Sequence, residues 1–262
     1  MAYFYRNKLE KDIASKAVIA SDKFGLIENG DRIVVALSGG KDSYTLLKML
    51  SLIKAKAKFD FELIVVNVDP GFNGYRTEPI EEYLRANGYR YKMISYPILK
   101  TASAKLSADD MLCSFCSRLK RGVLYDVCLK LGYNKLALGH NADDVIETLL
   151  LNQFYSGALS GMPPKLQADD KPITVIRPLY YVFERETMRY AIESEFPVVC
   201  CKCPICGNQD MRRMQIKKLL SDLEKNSPHI KNNLLAAAGN IHARFLSDSQ
   251  FNPILEKNGK AK

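Results

Sequence analysis

A chain of 262 residues, 47% of them hydrophobic, is long enough to bury a large core as one α/β domain with an appendage. No run of about 18 apolar residues occurs, and the start Met1-Ala2-Tyr3-Phe4-Tyr5-Arg6 lacks the apolar segment of a secretory signal; a membrane protein is disfavoured and a cytoplasmic one expected. The net charge of +9 fits a polyanionic partner, and seven clustered cysteines fit metal or redox chemistry better than disulfides.

In chain order, Leu9, Ile13, Ala17, Ala20 and Phe24 recur at roughly four-residue spacing, the apolar stripe of one helix. Arg6, Lys8, Lys11, Lys16 and Lys23 occupy its other faces, as a solvated surface or as a basic arm for nucleic acid. Glu28-Asn29-Gly30-Asp31 turns the chain into a buried strand, Ile33 to Leu37. Ser38-Gly39-Gly40 follows, with almost no side-chain bulk, and a helix carried by Tyr44, Leu46, Leu47 and Leu50 opens near Asp42. Strand, glycine turn and helix N-terminus make an anion site, to which Lys41 adds charge and Ser38 and Ser43 add hydroxyls. The ligand it fits is a phosphate chain. The spacing is neither that of the Walker loop nor that of the three-glycine dinucleotide fingerprint. Ser-Gly-Gly-Lys-Asp-Ser resembles the PP-loop of ATP pyrophosphatases, which release pyrophosphate and leave AMP on a substrate oxygen.

Phe61 to Val68 reads as a second strand, with Asn67 and Asp69 at its carboxyl end, where they touch a ribose or adenine or simply end the strand. Glu78 to Asn87 is a helix closed by Gly88, Tyr89 to Ser95 a third strand, and Pro97 to Leu112 a loop over the ligand edge. Cys113-Ser114-Phe115-Cys116 then runs into an amphipathic helix from Ser117 through Leu131. Lys135 to Leu138 is a fourth strand, followed by Gly139-His140-Asn141-Ala142-Asp143-Asp144 and a helix over Val145 to Tyr155. Asp143 and Asp144 suit the start of that helix, and paired carboxylates beside a phosphate site also suit Mg²⁺. Gly157 to Pro172 reads as loop, Ile173 to Ile176 as a fifth strand and Glu184 to Glu195 as a helix. After Cys200-Cys201-Lys202-Cys203-Pro204-Ile205-Cys206, helices over Met211 to Leu223 and Ile230 to Phe245 close the chain, the first made basic by Arg212, Arg213, Lys217 and Lys218. The rhythm implies an open parallel five-stranded sheet with helices on both faces, plus a helical C-terminal region. The organisation expected is residues 1–30 as a basic helix, 31–200 as the ATPase domain with a Cys-x-x-Cys insertion, and 201–262 as a cysteine cluster with helices.

Cys113 with Cys116 and Cys203 with Cys206 form two Cys-x-x-Cys pairs. By spacing they fit a four-thiolate zinc, which spacing alone favours, an iron–sulfur cluster on three cysteines, or a dithiol redox pair. Cys128 reads as a buried apolar residue.

Several motifs agree when taken together. Ser-Gly-Gly-Lys-Asp-Ser-Tyr-Thr, Cys-Ser-Phe-Cys-Ser-Arg-Leu-Lys-Arg-Gly, Leu-Gly-His-Asn-Ala-Asp-Asp, Gly-Met-Pro-Pro-Lys-Leu and Ile-Arg-Pro-Leu, in this order, resemble the TtcA family of tRNA 2-thiocytidine biosynthesis enzymes over roughly Gly30 to Leu246. The resemblance implies a PP-loop fold, a homodimer, and a tRNA substrate thiolated at an anticodon-loop cytidine, expected to be cytidine-32. It implies ATP and a [4Fe–4S] cluster as cofactors, with sulfur ultimately from a cysteine desulfurase. Carried over, the cluster ligands are Cys113, Cys116 and Cys206, the last preceding Gly207-Asn208-Gln209 as the family's ligand precedes its Gly-x-Gln. Cys200-Cys201 is an insertion, so Cys201 and Cys203 are the alternatives. Asn141-Ala142 stands where the family often has His-Arg. No cysteine precedes Cys113, unlike the 2-thiouridine synthetases of the TtuA type.

The candidate ATP site is Leu37, Ser38, Gly39, Gly40, Lys41, Asp42 and Ser43, with Asn67 and His140. Lys41, Asp42 and Asp143 are the catalytic candidates, Asp42 and Asp143 holding Mg²⁺ with Asp144 behind them. Arg118, Lys120, Arg121, Arg212, Arg213 and Lys218 are candidates for the tRNA path. The rival readings are thiolation of another tRNA nucleoside and a zinc-stabilised nucleic-acid-binding module.

Overall fold

The computed structural model describes residues 5–71, 74–98, 101, 112–199 and 211–247, the side chains of 112–115 and 243 excepted. Among these residues six strands form one sheet in the order β3-β2-β1-β4-β6-β5: β1 Arg32–Ala36, β2 Glu62–Asp69, β3 Tyr91–Ser95, β4 Lys135–Ala137, β5 Lys165–Gln167 and β6 Thr174–Ile176. All neighbours pair in parallel except β5 with β6. The helices are α1 Lys8–Phe24, α2 Lys41–Lys56, α3 Glu78–Ala86, α4 Leu112–Leu131, α5 Ala142–Ser156, α6 Glu184–Glu193, α7 Met211–Asn226 and α8 Ile230–Ala237.

Alternation along the central strands sorts the core into two layers. Ile33 and Val35 of the first strand, Leu37 just after it and Val65 of the second face a large cluster with α1, α2, α3, α5, α6, α7 and α8. Val34, Ile64, Val66, Leu136 and Val175 face the other way, onto Leu124, Val127 and Cys128 of α4. Helices therefore cover both faces, as a parallel sheet requires. The α1 stripe is as expected: Ile13, Ala17 and Ala20 are fully buried. Lys16 of α1 is held by Glu186 at 2.6 Å, and Lys135 is buried against Asp31 at 2.6 Å, so part of the positive charge is structural.

Three elements differ from the sequence reading. A sixth strand, β5, lies inside the stretch read as loop; three residues with Leu166 still 42% exposed give no alternation to detect. Helix α4 begins at Leu112, so Cys113 and Cys116 stand on the helix itself, one turn apart. Helix α8 stops at Ala237, just before Gly239, and a short 3₁₀ turn Ala243–Phe245 replaces its continuation.

Candidate active site

Strands leave β1 in opposite directions, to β2 and β3 on one side and to β4 and β6 on the other. In a sheet of this kind ligands bind at the carboxyl ends of the strands where the order reverses. A cavity of ≈ 440 Å³ opens there. Its walls are Ala36, Ser38, Gly40, Asp42 and Ser43 from β1–α2, Leu138, Gly139, His140 and Asp144 from β4–α5, Ser117, Lys120, Arg121 and Leu124 from α4, and Met162 and Arg177.

Two helix N-termini meet at this edge, and they differ. Asn141 caps α5, accepting from the N–H groups of Asp143 and Asp144, while Asp144 accepts from the Asn141 N–H in return. Gly40 precedes α2 in extended conformation with no side-chain cap. The positive end of α2 is thus left to a ligand. Ser43 braces the turn: its hydroxyl donates to Gly40 O at 2.8 Å and accepts from the Ser38 N–H at 3.2 Å. Gly39 has φ +82°, and a Cβ there would stand 3.0 Å from Ile80. At Gly139 a Cβ would meet Asp42 and Ser43 backbone atoms at 3.1 Å, so its missing side chain lets β4 approach the start of α2. Behind the turn, buried Asn67 donates to Leu37 O at 2.7 Å and to the Tyr75 hydroxyl at 2.9 Å. Asn67 and Leu37 support the turn from outside the cavity wall, and Asp69 ends its strand by accepting from the Gly71 N–H.

The charged candidates separate into two groups. Asp42 reaches the cavity while its Oδ1 accepts from Thr187 at 2.5 Å and Asn141 at 3.2 Å. Lys41 sits beside it, 2.9 Å from both Asp42 and Glu184. Burial disfavours its charge, but the two carboxylates outweigh burial and raise its pKa. Asp144 lines the cavity, and burial raises its pKa. Asp143 instead accepts from the Glu184 N–H at 2.7 Å and pairs with Lys231 of α8 at 3.0 Å. The carboxylates facing the cavity together are therefore Asp42 and Asp144, oxygen donors of the kind Mg²⁺ takes.

Of the basic candidates, Lys120 and Arg121 stand on the cavity wall, and Arg118 is exposed on the same helix. Arg213 lies 3.4 Å from Glu147, Arg212 sits over the Tyr155 ring, and Lys218 is exposed on α7. Cys116 is half-buried next to Ser117 of the wall. The Cys113 side chain and Cys201, Cys203 and Cys206 lie outside the described residues. Among the described residues no group of three or more His, Cys, Asp or Glu is placed to hold a metal ion. Cys128 is buried and its thiol is pushed up to about 12 by burial, which leaves it unsuited to ligation.

The sequence reading passed over Arg177, Glu147, Glu184 and Thr187. Arg177 is 4% exposed, donates from Nη1 to Pro163 O at 2.6 Å and from Nε to His140 Nδ1 at 3.3 Å. Its place in Ile-Arg-Pro-Leu was the available signal. Glu184 looked like an ordinary acidic helix start, and nothing local reveals that it receives Lys41.

A PP-loop domain family matches residues 9–198. Over 243 residues the chain is 49% identical to the tRNA-cytidine(32) 2-sulfurtransferase of Geobacter sulfurreducens, covering 93% of each chain. The chain belongs to the tRNA-cytidine(32) 2-sulfurtransferase family. Another relative of that name, from Anaeromyxobacter sp., is 42% identical over 97% of this chain and 84% of its own. Among solved structures, the U34-tRNA thiolase NcsA from Methanococcus maripaludis with its [4Fe-4S] cluster matches with a TM-score of 0.71 at 24% identity, over 88% of this chain and 78% of that one. That likeness shows the shared fold. The glycine turn lies within the matched PP-loop domain, and beside it Asn141 caps α5 and donates to Asp42.

Proposed function

We infer that the chain is an ATP-dependent tRNA sulfurtransferase that replaces the C2 oxygen of cytidine-32 with sulfur. The observation that carries this is 49% identity over 93% of the chain to an enzyme of that name, in a fold that keeps an open phosphate turn. A ring carbonyl oxygen is a poor leaving group; joining it to AMP makes it a good one, with pyrophosphate released.

The chain's own residues account for the activation step. The uncapped start of α2 and the Ser38 hydroxyl receive phosphate oxygens, and Lys120 and Arg121 add charge from the facing helix. Lys41, kept protonated by Asp42 and Glu184, stabilises charge on departing pyrophosphate. Asp42 and Asp144 would hold Mg²⁺, which lowers the charge of the phosphate chain. Asp143 positions Glu184 and α8 rather than the metal.

For the cluster, Cys113 and Cys116 stand three positions apart on α4, a spacing that suits two ligands of one centre; the third comes from Cys206, or from Cys203 or Cys201. When bound, the cluster supplies a thiophilic iron site for bringing sulfur to the activated carbon. Arg118, Lys120 and Arg121, with Arg212, Arg213 and Lys218, form the path for tRNA phosphates. A homodimer, a cytoplasmic location and a cysteine desulfurase as the ultimate sulfur source complete the reading. Residues 31–200 act as the ATPase unit, with 1–30 and 201–262 appended. Among the described residues no helix is long and apolar enough to cross a membrane.

The test is nucleoside mass spectrometry of tRNA from a strain lacking the gene. Loss of 2-thiocytidine at position 32, restored by this chain, is expected; unchanged 2-thiocytidine would overturn the reading.

A further inference from the structure

His140 ends β4 and lines the cavity, and its ring is oriented by a buried partner. The Arg177 Nε–H donates to His140 Nδ1 at 3.3 Å. A guanidinium has only donors, so the Nδ1 it meets must offer a lone pair. In a neutral imidazole the single proton then resides on Nε2. Arg177 is itself held in place, nearly excluded from solvent and bonded through Nη1 to Pro163 O at 2.6 Å.

We propose that Arg177 is a positioning residue that fixes His140 as the neutral Nε2–H imidazole, making His140 a hydrogen-bond donor to an anionic ligand in the cavity and not a base. Resting on the function inferred above, that anion is a phosphate oxygen of ATP or of the adenylate. A base would need a free lone pair. Here Nδ1 already accepts from Arg177, and Nε2 carries the proton. The charged groups around the ring agree with a neutral form. Burial, then Arg177, Arg121 and Arg213, lower the His140 pKa to about 4, although Asp42 and Asp144 share the cavity. A neutral donor also suits a site where charge builds up and is lost again, because it gives up no proton to the ligand.

The chain has three histidines, so ¹⁵N-imidazole NMR of the whole protein resolves the question directly, with His140→Gln assigning the signal. The expected spectrum shows a protonated Nε2 and an unprotonated Nδ1 from about pH 7.5 down to about pH 5. In Arg177→Met, which offers Nδ1 no donor and no charge, the tautomers mix and the titration rises part of the way toward about 6.5, burial still holding it down. ATP-to-AMP turnover on tRNA falls about a hundredfold in His140→Ala, as for loss of one preorganised donor. His140→Gln, whose amide N–H stands near Nε2, recovers most of it. His140→Asn, whose amide stands near Nδ1, does not. An Nδ1–H tautomer, a wild-type titration near 6.5, or a glutamine variant no better than alanine would overturn the proposal. The spectrum of the unaltered protein decides even if an Arg177 variant fails to fold. Should tRNA analysis show no cytidine thiolation while Nε2–H is observed, the reading of the reaction fails and this assignment stands. An Nδ1–H in an enzyme that thiolates cytidine-32 sinks only the assignment.

Discussion

The backbone N–H of Val199 donates to the carbonyl oxygen of Gly39 at 2.9 Å. The chain leading to the second set of cysteines is thereby tied to the phosphate turn itself. On the far side of residues 200–210, Arg213 reaches back to Glu147 at 3.4 Å and Asp144 at 3.9 Å. Both ends of the stretch carrying Cys201, Cys203 and Cys206 are thus moored beside the nucleotide cavity.

Gly39→Ala disturbs this mooring. The residue has φ +82°, and the added methyl meets Ile80 at 3.0 Å and Val199 at 3.3 Å. Strain of about 1–2 kcal/mol from the left-handed backbone, with crowding added, moves the turn. Equilibrium binding should show ATP affinity reduced at least about tenfold; an unchanged affinity would show that the turn can shift without cost to the site.

Lys41→Ala should abolish ATP-to-AMP turnover while leaving iron content intact, because Lys41 faces Asp42 and Glu184 and no described cysteine. Glu184→Gln weakens the hold on the same ammonium and should cost about tenfold in turnover. Retained turnover in Lys41→Ala would refute the role given to the lysine. Metal analysis of the same preparations should find iron; zinc in its place would favour the rival binding module.

Glu147 gives a pH signature. It is 3% exposed, and burial lifts its carboxyl to about 7 from the ordinary 4.5 against the pull of Lys217 and Arg213. Between those values the folded chain holds a proton that the unfolded chain has released, so this stabilisation is full at low pH and is lost as pH rises through about 7. The swing is on the order of 1–3 kcal/mol. His140 acts in the opposite direction: its pKa is lowered to about 4, so its contribution is lost as pH falls below the ordinary 6.5. The two partly cancel in the wild-type profile. The difference between wild type and Glu147→Gln isolates the carboxyl, and thermal melts should show the variant gaining on wild type from roughly pH 5 to pH 8. Parallel curves would count against the assignment.

Binding to tRNA should weaken steeply with salt, with a log–log slope of roughly −0.7 to −0.9 per phosphate contact. Arg118→Ala and Lys218→Ala, both at exposed positions, should each lower the slope by about one such contact. A salt-independent affinity would remove this surface from the tRNA path.

Much of the architecture could be read from the chain because its signals are local. The β-branched run into Ser38-Gly39-Gly40 and the apolar stripe of α1 need no distant partner to be recognised. Choosing between Asp143 and Asp144 is a different problem. Neighbouring residues on a helix point about 100° apart, so which one meets the cavity depends on how α5 is rotated against the sheet, and only packing decides that. The partnership of Lys41 with Glu184, like that of His140 with Arg177, joins elements far apart in the chain, and no spacing rule reaches across such gaps. Cys113 and Cys116 were readable as a pair but not as helical, because cysteine and serine carry little helix preference of their own.

The bare start of α2 ties stability to occupancy. A phosphate chain seated there supplies the missing end group, so nucleotide at a hundred times its dissociation constant should add about 2.7 kcal/mol to the folded state. An aspartate or serine at Gly40 could firm up the empty protein, but it would do so by occupying its substrate's place. Thermal robustness and catalysis therefore compete for the same few amide hydrogens.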